Sequence, residues 1–152
     1  MTFRARETSD AIVASGPVCT IGIGWPHKLV RAFKHHGLQA PPPVSARMLI
    51  DTGAVRCVVK PWVFAALKLP PYDVAHINTA TTTAPVEVPA HVADLCFDGT
   101  TILRNMRVLA SELHGQAIDG LLGRDALAHG VLEYRGIHKS WSLEVHAPPF
   151  EE

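Results

Sequence analysis

One carboxylate in this sequence sits in a setting suited to chemistry. Asp51 ends the apolar run Met48-Leu49-Ile50 and opens the turn Asp51-Thr52-Gly53-Ala54, after which Cys57-Val58-Val59 turns apolar again. Apolar runs of this length predict buried strands. Gly53 gives the turn between them freedom of φ, and Asp51 and Thr52 have side chains that hydrogen-bond nearby backbone. A carboxylate is thereby held at the tip of a buried strand, where it needs hydrogen-bond partners and is placed for acid–base work. Two other acids compete for that role. Asp119 precedes a glycine and reads as a turn former, and Asp125 opens a short helix, where a negative charge suits the first turn.

Other reactive side chains carry less. The nine histidines, including His27 and the pair His35-His36, show no helical zinc spacing with a third ligand near, so they read as surface groups with no metal and no cofactor. Cys19, Cys57 and Cys96 are an odd count with no close pair and read as reduced, mostly buried thiols. A phosphate-binding turn of the sugar-kinase and actin-like ATPases also begins apolar-Asp-x-Gly. Those folds surround the nucleotide with two large domains, which a chain of 152 residues is too short to supply.

The elements that position Asp51 follow from patterning. Hydrophobic residues make up 47% and charged residues 18%, a globular composition for about one domain. Fourteen basic side chains face fourteen acidic ones, which gives no basic stripe for nucleic acid and little repulsion between identical subunits. The first residues lack an apolar signal core and no run approaches ~18 apolar residues, so the expectation is a soluble, cytoplasmic protein with no membrane partner.

Along the chain, Met1 to Asp10 is polar and expected to fray, and Ala11 to Ala14 is a short strand candidate. Val18 to Ile23 is the next strand. Residues 25–45 change character: Leu29, Val30 and Phe33 at helical spacing, Gly37 as a stop and Pro41-Pro42-Pro43 beyond predict an inserted arm. Pro61 opens a helix of about two turns that closes before Pro70. Val74 to Thr83 and Val86 to Phe97 form a hairpin with Ala84-Pro85 near the bend. Asp98-Gly99 marks a two-residue hairpin into Thr100 to Leu109. Ile118 to Leu127 places an apolar pair between glycines ahead of a short helix, and Val131 to Tyr134 and Ser140 to Val145 close the chain. Eight or nine short strands with two or three brief helices predict an all-β or mostly-β domain.

With both motifs on the page, Leu49-Ile50-Asp51-Thr52-Gly53-Ala54 and, about 70 residues later, Gly120-Leu121-Leu122-Gly123-Arg124-Asp125, the sequence resembles the retropepsin-like aspartic proteases, of the single-domain type found in bacteria as well as retroviruses. The resemblance implies a closed acid-protease β-barrel, one lobe per chain. It divides the chain into residues 1–15 as an N-terminal segment and first strand, 16–146 as the retropepsin-like domain with its insert at about 25–45, and 147–152 as a tail. Asp51 is the implied catalytic residue, with Thr52, Gly53 and Ala54 supporting its turn. Leu121, Leu122, Gly123 and Arg124 pack beneath it. Thr79, Ala80, Thr81, Thr82 and Thr83 take the place of the substrate-covering flap, without the glycines of retroviral members.

Aspartic proteolysis needs two carboxylates sharing a proton. The chain has one Asp-Thr-Gly, so the resemblance implies a homodimer with the site on its two-fold axis and a peptide or protein substrate. A catalytically silent peptide-binding or dimerisation module is the alternative, and a β-barrel with an accidental Asp-Thr-Gly is a third reading. Val55 stands where retroviral members carry an acid that pairs with the arginine of the second motif. Arg124 must then find another partner, either Glu133 or a backbone carbonyl. The insert is expected to cover the cleft or to take part in the subunit contact.

Overall fold

The computed structural model describes residues 1–78 and 83–149. In chain order the strands and helices are β1 (Thr2–Thr8), α1 (Ile12–Ser15), β2 (Val18–Gly24), α2 (His27–His35), β3 (Val44–Ile50), β4 (Val58–Val59), α3 (Pro61–Leu67), β5 (Asp73–Ile77), β6 (Val86–Cys96), β7 (Ile102–Ala110), β8 (Gly120–Leu122), α4 (Arg124–Leu127), β9 (Gly130–Arg135) and β10 (Ser140–His146). The fold is mostly β, as the patterning predicts. The strands β2-β3-β8-β4-β7-β6 follow one another around a sheet that closes on itself through a β2–β6 pairing, and β5 pairs with the outer side of β6. A separate sheet, β1-β10-β9, packs against this ring.

Side chains alternate along the ring strands, so each strand sends every second residue inward. In β3 these are Ala46, Met48 and Ile50, and in β10 of the second sheet the same alternation turns Trp141, Leu143 and Val145 inward, all in one continuous core. The helix α3 starts at Pro61, whose fixed φ suits a first helical position, and it buries Val63, Phe64 and Leu67. It ends where Lys68 turns left-handed at φ 51°, just before Pro70.

Three local expectations are corrected. Met1 to Asp10 does not fray: β1 pairs with β10 over seven residues, from Thr2 against His146 to Thr8 against Ser140. Only Phe3 and Ala5 of β1 face the core, where Phe3 meets Phe97 at 5.3 Å between ring centres. Two apolar residues are too weak a pattern to announce a strand without its partner. Ala11 to Ala14 is no strand: Ile12–Ser15 is a single helical turn that buries Ile12 and leaves Val13 85% exposed. Four apolar residues cannot distinguish the two periods. The β6–β7 connection is not a two-residue hairpin either. Phe97 N–H donates to Thr101 O at 2.9 Å, leaving a three-residue loop whose Asp98 carboxylate accepts from the amides of Thr100 and Thr101 at 2.8 and 2.6 Å. Among the described residues there are ten strands, against the eight or nine expected, with β1 gained and Ala11 to Ala14 lost as a strand.

Candidate active site

The second sequence motif forms the floor beneath the first. β8 runs parallel to β3, with Leu49 opposite Leu121 and Ile50 opposite Leu122. This registry is possible because both glycines flanking the leucine pair lie against backbone. A Cβ on Gly120 would sit 2.5 Å from the Val58 carbonyl oxygen, and one on Gly123 would sit 2.5 Å from that of Arg56. No side chain fits there.

From this floor the Asp51 turn is held on every side. Asp51 N–H donates to Leu122 O at 3.0 Å, Ala54 N–H to Asp51 O at 3.2 Å, and Gly53 N–H to Asp51 Oδ1 at 2.8 Å. On the far side, Arg124 N–H donates to Ala54 O at 2.8 Å and Asp125 N–H to Val55 O at 3.2 Å. The Arg124 guanidinium donates through Nη1 to Thr52 O at 2.7 Å. Of the two partners the sequence left open, Arg124 therefore takes a backbone carbonyl, while Glu133 pairs with Arg135.

The two competing acids serve structure. The Asp125 carboxylate accepts from Cys57 N–H at 3.3 Å, from the Cys57 thiol at 3.1 Å and from Ala126 N–H at 2.9 Å. Cys57 Sγ in turn accepts from Gly123 N–H at 3.4 Å. Burial foremost, and then the Asp125 charge, push the Cys57 thiol up and keep it protonated, the form that donates. Asp119 closes a two-way clasp with Arg47: its carboxylate accepts from Arg47 N–H and its own N–H donates to Arg47 O, both at 2.8 Å.

Asp51 itself is half-exposed, and Thr52 and Gly53 are exposed. Together with Ala54 the turn opens on a cleft of about 790 Å³ that runs between it and β5. The cleft's apolar lining is Val58, Leu109, Leu121, Leu113, Ala75 and Ile77, grouped as a second cluster apart from the main core. Leu121, expected only as support, thus also lines the cleft, whereas Leu122 is wholly buried. Polar side chains at its edge are Arg56, His76, Arg107 and Glu112. Arg107 donates to Asp73 Oδ2 at 3.2 Å and so ties β7 to β5, and His76 lies 3.2 Å from Glu87 within the β5–β6 hairpin.

Sequence reasoning missed Arg107, Leu109 and Ser111, although their alternation along β7 and one residue past its end was a readable signal for one face. The flap residues Thr79, Ala80, Thr81 and Thr82 lie outside the described residues, and Thr83 is an exposed bend.

The insert does not cover this cleft. None of the cleft's lining residues comes from 25–43, and β3 carries the chain from Val44, beside the insert, to Ile50 at the Asp51 turn. Among the described residues, no group of histidine, cysteine, aspartate or glutamate is arranged to hold a metal ion, and no helix is long and apolar enough to cross a membrane.

The family model described as aspartyl protease matches residues 42–126, more than half of the chain and a span that contains both the Asp51 turn and the β8–α4 floor. The chain belongs to the aspartyl protease family. No curated protein and no solved structure matches it significantly. The retropepsin-like resemblance of the two motifs and the ringed sheet agree with that membership, and a protease function follows from it. In this aspartyl protease the two motifs of the sequence lie on β3 and β8, laid parallel and joined by the Asp51 amide.

Proposed function

We propose that this protein is a homodimeric aspartic endopeptidase in which Asp51 of each subunit supplies one carboxylate of a shared pair. The observation that carries the reading is the setting of Asp51: a half-exposed carboxylate on a rigid turn at the mouth of a cleft of about 790 Å³, with one Asp-Thr-Gly in the chain. Two like charges ~3 Å apart cannot both ionise, so one member of such a pair holds a proton while the other accepts one. The ionised member takes a proton from the attacking water, and the protonated one donates to the peptide carbonyl oxygen as the tetrahedral intermediate forms. Thr52 locks the two turns together through its hydroxyl, and Gly53 lets the substrate backbone come close. The substrate lies extended between the Asp51 turns and the β5–β6 hairpin, with side chains in the apolar pockets built on Val58, Leu109 and Leu121.

The test is cleavage of a mixed peptide library at mildly acidic pH by the wild type, Asp51→Asn and Asp51→Ala, with sedimentation to follow the dimer. Both variants should lose cleavage and keep fold and dimer. Cleavage retained by a pure variant would end the reading. A wild-type dimer that binds peptides without cutting them would make the chain a silent binding module.

A further inference from the structure

The overall neutrality of the protein hides a local excess of positive charge. Residues 25–43 contain Lys28, Arg31 and Lys34 and no aspartate or glutamate, so the rest of the chain carries the opposite excess. The helix α2 divides these groups among three faces. Leu29 packs against the barrel core, and Phe33 meets Trp25 edge-on at 4.7 Å. Lys28 and Arg31 are exposed, three residues apart on one side. His27, Val30 and Lys34 turn to a second cavity of about 460 Å³ between α2, the proline-rich arm and the barrel. Its walls are otherwise largely apolar, from Trp25, Leu38, Pro41 and Ile102, with Leu38 57% exposed, while the two charged wall residues Arg104 and Asp94 pair with each other at 3.5 Å.

This cavity is preformed. The side chain of Asp94, 6% exposed, accepts from His27 N–H at 3.1 Å and from Asn105 N–H at 2.9 Å, which anchors the start of α2 to a bulged part of β6. Trp25 Nε1–H donates to Leu67 O at 2.8 Å and fastens the arm to α3. The cavity shares no lining residue with the Asp51 cleft and lies at the other end of β3, about 20 Å away at the usual rise of a strand.

We infer that this face is a docking site for an acidic peptide segment of a partner protein, with an apolar side chain seated in the cavity and its carboxylates against Lys34 at the cavity wall and the exposed Arg31 beside it. Charge complementarity selects an anionic partner. The cavity selects a peptide: Leu29 and Phe33 of α2 are turned inward, onto the barrel core and Trp25, which leaves Val30 alone and no broad apolar face on the helix to lie in a bilayer. Stacking of unpaired bases is disfavoured as well, because Trp25 and Phe33 are engaged with each other.

The experiment uses the full chain and reads binding alone, so it stands or falls separately from proteolysis. A fluorescein-labelled peptide of leucine and phenylalanine flanked by glutamates is titrated by fluorescence polarisation, beside the same peptide flanked by lysines and beside phosphatidylserine vesicles. Saturable binding of the acidic peptide is expected, weakened about tenfold or more in Lys34→Glu combined with Arg31→Glu, and unchanged in Asp51→Asn. Both reversed positions are exposed, so folding is preserved, which thermal melting checks. The inference is overturned if the acidic peptide does not saturate, if the lysine peptide binds as well, if charge reversal leaves affinity unchanged, if Asp51→Asn abolishes binding, or if only the vesicles bind.

Discussion

Arg124 donates its guanidinium N–H to the carbonyl of Thr52 across 2.7 Å, so the first residue of α4 clamps the turn that carries Asp51. The same residue's backbone amide holds Ala54 at 2.8 Å. The amide contact survives any substitution, while the guanidinium contact depends on the side chain. Arg124→Ala should therefore leave the fold in place and loosen the turn. If the chain cleaves peptides as proposed, kcat should fall by about ten- to a hundredfold, the usual cost of small misplacement at a reacting group. Comparing kcat with the melting temperature checks this, since a merely structural loss would lower both together.

Gly120 and Gly123 are the least replaceable residues of the second motif. Alanine at either would bring a Cβ to 2.5 Å from a carbonyl oxygen of the neighbouring segment. The neighbouring backbone is fixed by the pairing of Val58 with Leu121 and by the bonds of Cys57 to Asp125 and Leu109, so it cannot retreat. Each single variant should lose ~3 kcal/mol or more of stability, measurable by urea denaturation, or fail to fold.

Cys57 predicts a contrast between two conservative changes. Its thiol both donates to Asp125 and accepts from Gly123. Serine keeps both roles, whereas alanine takes one donor from the Asp125 carboxylate and leaves the Gly123 amide without its acceptor, so Cys57→Ala should cost about 1–3 kcal/mol more than Cys57→Ser in chemical denaturation. Alkylation followed by mass spectrometry should label Cys96 first. Burial raises all three thiols, that of Cys19 up to about 12, but Cys96 is only half-buried and within reach of the reagent, whereas Cys19 and Cys57 are buried.

His91 predicts a pH dependence of stability. Its ring is buried and stacks flat on Phe64 at 3.7 Å, with Nδ1 unpartnered. Burial lowers its pKa below the ordinary 6.5, against an opposing effect of the Pro70 and Leu69 carbonyls. The unfolded chain thus binds the proton more readily than the folded one. The stability from this site is complete above about pH 6.5 and is lost as pH falls through that value towards the lower folded pKa. His91→Phe should keep the stacking, remove the orphaned nitrogen and flatten this part of the stability profile. Urea denaturation across the acid range checks the slope.

The sequence alone determined the motifs and the class. Apolar runs around Asp-Thr-Gly and around Gly-Leu-Leu-Gly are local patterns, and so are Pro61 as a helix start and the alternation of the closing strands β9 and β10. Local patterns survive without knowledge of partners. Tertiary structure decided what depends on distant segments. β1 became a strand only because β10 offered it an edge, and Arg124 chose the Thr52 carbonyl only because β8 brought it beneath the turn. Nothing in the linear pattern around Asp94 marks its role. A bulge in β6 turned it into the anchor of α2 and set the insert at the end of the barrel away from the cleft. Such choices follow from which backbone donors and acceptors meet in space, and a linear pattern holds no record of that until the ring has closed.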